Sequence, residues 1–156
     1  MLKPLPWLLA ASLLMSAGAQ SLRYKTHSNG VFSAQFPKNL TYRVEKDPDG
    51  GAIAYSAGKP NLKVKPFFAV MHFPGQDASL QSLIDRTKEG APTLALTRRV
   101  LVDGVKGAEF TGAIDGLPVT MRVFPGKRGA WNVIGRSIDP PSNQRFVESF
   151  HFRKAP

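Results

Sequence analysis

Three histidines, His27, His72 and His151, are the first residues that could do chemistry, because a neutral imidazole can ligate a metal or carry a proton near pH 7. Their spacing matches no local ligand motif such as two histidines at i and i+4 on a helix. A metal site therefore requires distant strands to bring them together, and separate structural or solvated roles are the simpler expectation. Acid and base work needs two carboxylates in different environments. Glu109 with Asp103 or Asp115 is the pair the chain offers, with both aspartates in turn sequences. Asp47-Pro48-Asp49-Gly50 resembles the opening of a calcium loop but lacks the third acidic position and the closing Glu, and turn chemistry accounts for it. No Gly-x-Ser-x-Gly elbow, Ser-x-x-Lys pair or cysteine supplies a nucleophile. Neither Gly-x-x-x-x-Gly-Lys nor Gly-x-Gly-x-x-Gly occurs to cradle phosphate, and no cofactor is expected.

Arginine offers a binding chemistry instead. Val119, Met121 and Val123 alternate with Thr120 and Arg122, and Trp131 and Val133 alternate with Asn132, with Arg136 farther along. Arg122 and Arg136 are expected to share a sheet face close to the loop Gly126-Lys127-Arg128-Gly129. If no helix covers it, that face suits carboxylate or phosphate groups, which match the planar guanidinium fork. Nucleic acid is not the expected partner: Phe67-Phe68 after Lys63-Val64-Lys65 is the nearest approach to aromatic platforms among basic residues, and core packing explains both rings.

The elements that position these residues read as strands punctuated by turns. Tyr24–His27 and Val31–Phe36 flank Ser28-Asn29-Gly30, a hairpin signal. Leu40–Glu45 and Ala52–Ser56 flank Asp47–Gly51. Leu62–Phe73 is β-rich, and Pro66 inside it predicts an edge strand or a bulge. Leu80, Leu83, Ile84 and Thr87 change to a helical period, which predicts a helix from Asp77 or Ala78 to Glu89 with Asp77 as N-cap. Leu94–Val102, Val105–Ala113, Leu117–Phe124 and Ala130–Ser137 form a meander joined by Asp103-Gly104, Asp115-Gly116 and a Gly-bounded loop. A second helix is expected near Asn143–Ser149, with Phe146, Val147 and Phe150 as its apolar face. This order predicts an α+β domain with a mostly antiparallel sheet of about six to eight strands covered by helices.

Tyr24-(x5)-Gly30-Val31-Phe32-Ser33-x-x-Phe36-Pro37, the central helix, Gly107-x-Glu109-Phe110 in the meander, and the closing Phe146-x-x-Ser149-Phe150-x-Phe152 resemble the PsbP/Mog1-like superfamily over nearly the whole chain after residue 19. The resemblance implies an α/β/α sandwich in which the first strands, ending at Phe36-Pro37, enter the central sheet. The family is functionally mixed, with most members binding or assembly modules rather than enzymes, so the resemblance implies the fold and carries over no particular function. The position after Phe-Pro where relatives often carry Trp is Leu40 here.

Met1-Leu2-Lys3, an apolar run from Leu5 to Met15 broken by Ser12, and Ala17-Gly18-Ala19 have the form of a signal peptide cleaved after Ala19. Residues 1–19 are thus expected to direct export, leaving 20–156 as a single domain in the periplasm or outside the cell. The apolar run is too short to span a bilayer core of roughly 30 Å, no later stretch approaches that length, and with no cysteine there is no lipid anchor and no disulfide. The chain carries 21 Lys and Arg against 11 Asp and Glu, a net charge of +10, in ones and twos rather than blocks. Such a charge favours anionic partners. The expected function is an exported, non-enzymatic binding or assembly module that engages a protein or an anionic cell-envelope component through Arg122, Arg136, Lys127 and Arg128. The alternative is an extracytoplasmic hydrolase or metal-dependent enzyme built from dispersed His and acidic residues.

Overall fold

In a computed structural model, residues 23–58, 65–154 and 156 are described. The expected signal peptide lies outside them, as does the start of the β-rich segment before Lys65. The elements, in chain order, are β1 (Tyr24–Ser28), β2 (Phe32–Pro37), β3 (Tyr42–Lys46), β4 (Ile53–Gly58), β5 (Phe67–Pro74), α1 (Leu80–Gly90), β6 (Leu94–Val102), β7 (Val105–Ile114), β8 (Leu117–Phe124), β9 (Gly129–Arg136), α2 (Pro140–Glu148) and β10 (His151–Phe152). A seven-stranded sheet has the order β3-β4-β5-β9-β8-β7-β6, and all of its pairings are antiparallel. The α+β class and the dominance of antiparallel sheet are as the patterning predicts.

The turns set the register. Asp103 and Gly104 have φ of 49° and 82°, and Asp115 and Gly116 have 51° and 78°. Positive φ at both central residues is what a two-residue type I′ hairpin needs, and Asp tolerates it better than most side chains. The β1–β2 hairpin closes differently. Neither Asn29 nor Gly30 has positive φ, and the Asn29 side-chain oxygen instead accepts from the N–H groups of Val31 (2.8 Å) and Phe32 (3.0 Å). At the β3–β4 turn the Asp47 side chain accepts from the Asp49 N–H at 3.0 Å, a local turn bond.

Three boundaries differ from the sequence expectation. Pro66 stands just before β5, and β5 pairs with β4 on one side and β9 on the other, so the strand is internal. A proline outside the ladder costs no hydrogen bond. Helix α1 starts at Leu80 with Ser79, not Asp77, as N-cap, because the Ser79 hydroxyl accepts from the Ser82 N–H at 3.1 Å one turn in. Helix α2 starts at Pro140, three residues earlier than expected. Prolines fit a first turn, whose N–H groups have no partner within the helix. Phe150 lies beyond the helix yet packs in the same core.

The first strands do not enter the central sheet. β2 lies between β1 and β10 in a separate three-stranded sheet, with Phe152 opposite Phe32 and His151 opposite Ser33. Alternation puts Phe32, Ala34 and Phe36 on one side of β2, and they bury against Phe146, Phe150 and the large sheet's Phe68, Val70, Phe124, Trp131 and Val133. The opposite face of the large sheet packs Phe110, Val119, Met121 and Val123 on Leu83 and Ile84 of α1. The two helices therefore cover opposite faces. Gly135 lets α2 approach β9: a Cβ there would fall 2.8 Å from the Asn143 Cα.

Candidate functional site

Arg122 and Arg136 do not form a shared basic face. Arg122 pairs in register with Val133, a residue of the α2 face, whereas Arg136 pairs with Val119, a residue of the α1 face. Paired residues in an antiparallel ladder point the same way, so the two arginines project to opposite sides of the sheet. Both are also buried, at 6% and 7% exposure. The alternation within each strand was legible, but the expectation assumed the wrong phase between β8 and β9, and α2 covers the face Arg122 occupies.

Arg122 belongs to an ion-pair cluster. Its Nε donates to a Glu109 carboxylate oxygen at 2.7 Å and its Nη1 to the Val147 carbonyl at 3.1 Å, which ties β8 to the end of α2. Arg98 on β6 grips the same carboxylate through two hydrogen bonds of 2.9 and 3.1 Å and reaches Glu148 at 3.5 Å. Burial by itself raises the Glu109 carboxyl, but the hydrogen bonds and charges of Arg98 and Arg122 outweigh it and hold the group below its usual value. A carboxylate at 3% exposure between two guanidiniums is a fixed anion. It clamps three strands to a helix rather than exchanging protons. The line Arg98–Glu109–Arg122 was open to sequence reasoning, since each neighbouring pair lies equidistant from an Asp-Gly turn.

Asp103 and Asp115 occupy the turns at the two ends of β7, each about 20 Å along the strand from Glu109 at ~3.3 Å per residue. No acid and base pair forms from them. Asp103 instead accepts from the Phe152 N–H at 2.9 Å and meets His151 at 3.2 Å, holding β10 against the β6–β7 turn. Asp115 lies 4.0 Å from Arg136, whose guanidinium also sits 5.8 Å over the Phe67 ring.

The histidines are dispersed. His27 stacks on Tyr42 at 3.8 Å between ring centroids, and His72 stacks on Trp131 at 4.1 Å. Burial lowers the pKa of each. Among the described residues no group of three or more His, Asp or Glu side chains could hold a metal ion. Asp47 and Asp49 sit in the β3–β4 turn. Phe68 is core and Phe67 is half-buried under Arg136, so the pair makes no open stacking platform. Leu40 is half-buried against the aromatic core.

Lys127 and Arg128 do lie open to solvent, as expected. Their loop is pinned at three points: the Gly129 N–H donates to the Gly126 carbonyl at 3.2 Å, the Lys127 N–H to the Pro156 carbonyl at 3.3 Å, and the Arg128 carbonyl lies 3.2 Å from His72 Nε2. Lys106 lines the same open cavity of about 410 Å³ as Lys127, between the β6–β7 turn and this loop. The pinned backbone thus holds two exposed cations close to Lys106, with Asp77 lining the same cavity. No protein-family model matches the chain, and a comparison with curated proteins finds no match.

Proposed function

We propose that this chain is an exported, non-enzymatic binding or assembly module of the PsbP/Mog1-like kind, and that it engages an acidic protein or anionic envelope component through Lys106, Lys127 and Arg128. The family reading is supported by a mostly antiparallel sheet with α1 on one face and α2 on the other, together with the Phe-Pro and Ser-Phe-x-Phe sequences that end β2 and open β10. The observation that carries the binding reading is the pinned β8–β9 loop. It holds two cations outward beside a third, so little conformational entropy is lost when a partner docks. Arg122 and Arg136 take no part, being consumed within the fold.

The test is capture from an envelope extract at physiological salt, comparing the wild type with Lys127→Glu/Arg128→Glu. A specific partner held by the wild type and lost in the variant is the expected result. Equal capture of many acidic proteins by both forms, fading together as salt screens the charges, would remove the proposal.

A further inference from the structure

Helix α1 packs over β6, β7 and β8, and the neighbouring α1-side surface of β5 and β9 forms an open cleft of about 280 Å³ beside the helix. Phe73, Leu83, Met121 and Ala130 line it with apolar surface. The polar side chains of Gln76, Arg86, Thr87 and Asn132 interrupt that lining. Arg86, on the second half of α1, is exposed and forms no ion pair among the described residues, although Asp85 and Glu89 are on the same helix. Asn132 projects from β9 between Val123 and Met71 in the ladder, and its amide makes no hydrogen bond among the described residues. An amide at the centre of an apolar sheet face gains nothing from its neighbours, so its donor and acceptor are left for a guest.

From this cleft we infer a second, separate site that binds a small amphiphilic carboxylate. The apolar body lies along Phe73, Leu83 and Met121, and the carboxylate is held by the Arg86 guanidinium and the Asn132 NH₂. A guanidinium presents paired donors that match the two carboxylate oxygens. At about 30 Å³ per water-sized group, the cleft holds roughly ten non-hydrogen atoms, the scale of a medium-chain acid. The net charge of +10 raises the local concentration of such anions.

Octanoate is the probe and octanol its uncharged control, each titrated into the purified protein and followed by NMR. Octanoate is expected to shift the resonances of Phe73, Leu83, Met121 and Ala130 saturably. Arg86→Gln, an exposed substitution that leaves the core intact, is expected to weaken octanoate by about tenfold or more and to leave octanol unchanged, since one charge-assisted pair is lost. Asn132→Ala is expected to weaken octanoate by less. Lys127→Glu/Arg128→Glu is expected to bind octanoate as the wild type does, which separates this site from the basic loop. The inference is overturned by a lack of saturation at millimolar octanoate, by shifts confined to the α2 face, or by equal octanoate affinity in wild type and Arg86→Gln.

Discussion

On one side of the seven-stranded sheet, Phe36, Phe68, Phe124, Phe146 and Phe150 interlock with Trp131 beneath α2 and the small sheet, and the charged groups there are matched in the Arg98–Glu109–Arg122 clamp. On the other side, among the described residues, a single helix of three turns contributes Leu83 and Ile84, and beside it lies a cleft lined by Asn132, whose amide makes no hydrogen bond there. Both faces belong to the same strands, so alternation within each strand treats them alike. Their difference comes from what the rest of the chain brings to each. One side receives α2, β2 and β10 and specialises in holding the fold together. Among the described residues the other receives only α1, and an open cleft lies beside that helix.

The strongest challenge to this contrast is to remove a buried core residue from each of the two sides. Phe146→Ala deletes a fully buried ring that meets Phe36 at 5.0 Å and Phe68 at 5.3 Å, and should cost about 3–5 kcal/mol in urea unfolding. Ile84→Ala on α1 should cost about 2–3 kcal/mol, because it removes fewer buried atoms than loss of the Phe146 ring. Equal losses would mean that the faces are equivalent in stability.

The clamp provides the next test. Glu109→Gln leaves buried Arg122 facing a neutral amide and should cost about 3 kcal/mol. Glu109→Leu/Arg122→Met, which removes both buried charges, should unfold at a higher urea concentration than Glu109→Leu alone. If it does not, the arginine contributes packing rather than charge. Because the folded Glu109 carboxyl titrates below its value in the unfolded chain, its contribution is present above about pH 4.5 and is lost as the pH falls through the folded value.

A smaller effect comes from His72, whose burial against Trp131 lowers its pKa against a weaker opposing contribution from the Arg128 carbonyl. The unfolded chain then binds the proton more readily. Stability from this group is complete above about pH 6.5 and falls as the pH drops through the folded value, with His27 acting in the same sense. His72→Phe should keep the stacking and flatten the stability slope between neutral and mildly acidic pH, and an unchanged slope would exclude His72 as its source. Smallest of all, Lys127→Glu/Arg128→Glu should shift unfolding by less than about 0.5 kcal/mol, as expected for exposed residues. A larger shift would show that the loop serves the fold as well as a partner.

Much of the architecture was legible because its causes are local. The two Asp-Gly turns adopt positive φ, and they set the pairing of β7 with β8 and that of β6 with β7 from the turn as far as Arg98, where a bulge between Leu96 and Arg98 shifts the register. The helical period of Leu80, Leu83, Ile84 and Thr87 found α1, although the choice of Ser79 over Asp77 as cap depended on a hydroxyl's reach that spacing does not encode. The clamp could have been reached by counting outward from those turns. What counting could not supply was burial, and burial turned Arg122 from a candidate anion ligand into an internal strut.

The sequence by itself determined the turns, the strands of the meander, both helical segments and the excess of positive charge, since each rests on backbone preference or composition over a few residues. Tertiary structure alone decided that Arg122 and Arg136 face opposite ways, that β2 pairs with β10 outside the main sheet, and that Glu109 is enclosed. Those outcomes depend on where α2 and the closing strand settle more than a hundred residues from β2. Solvent access is a property of the assembled layers, and no stretch of chain carries it alone.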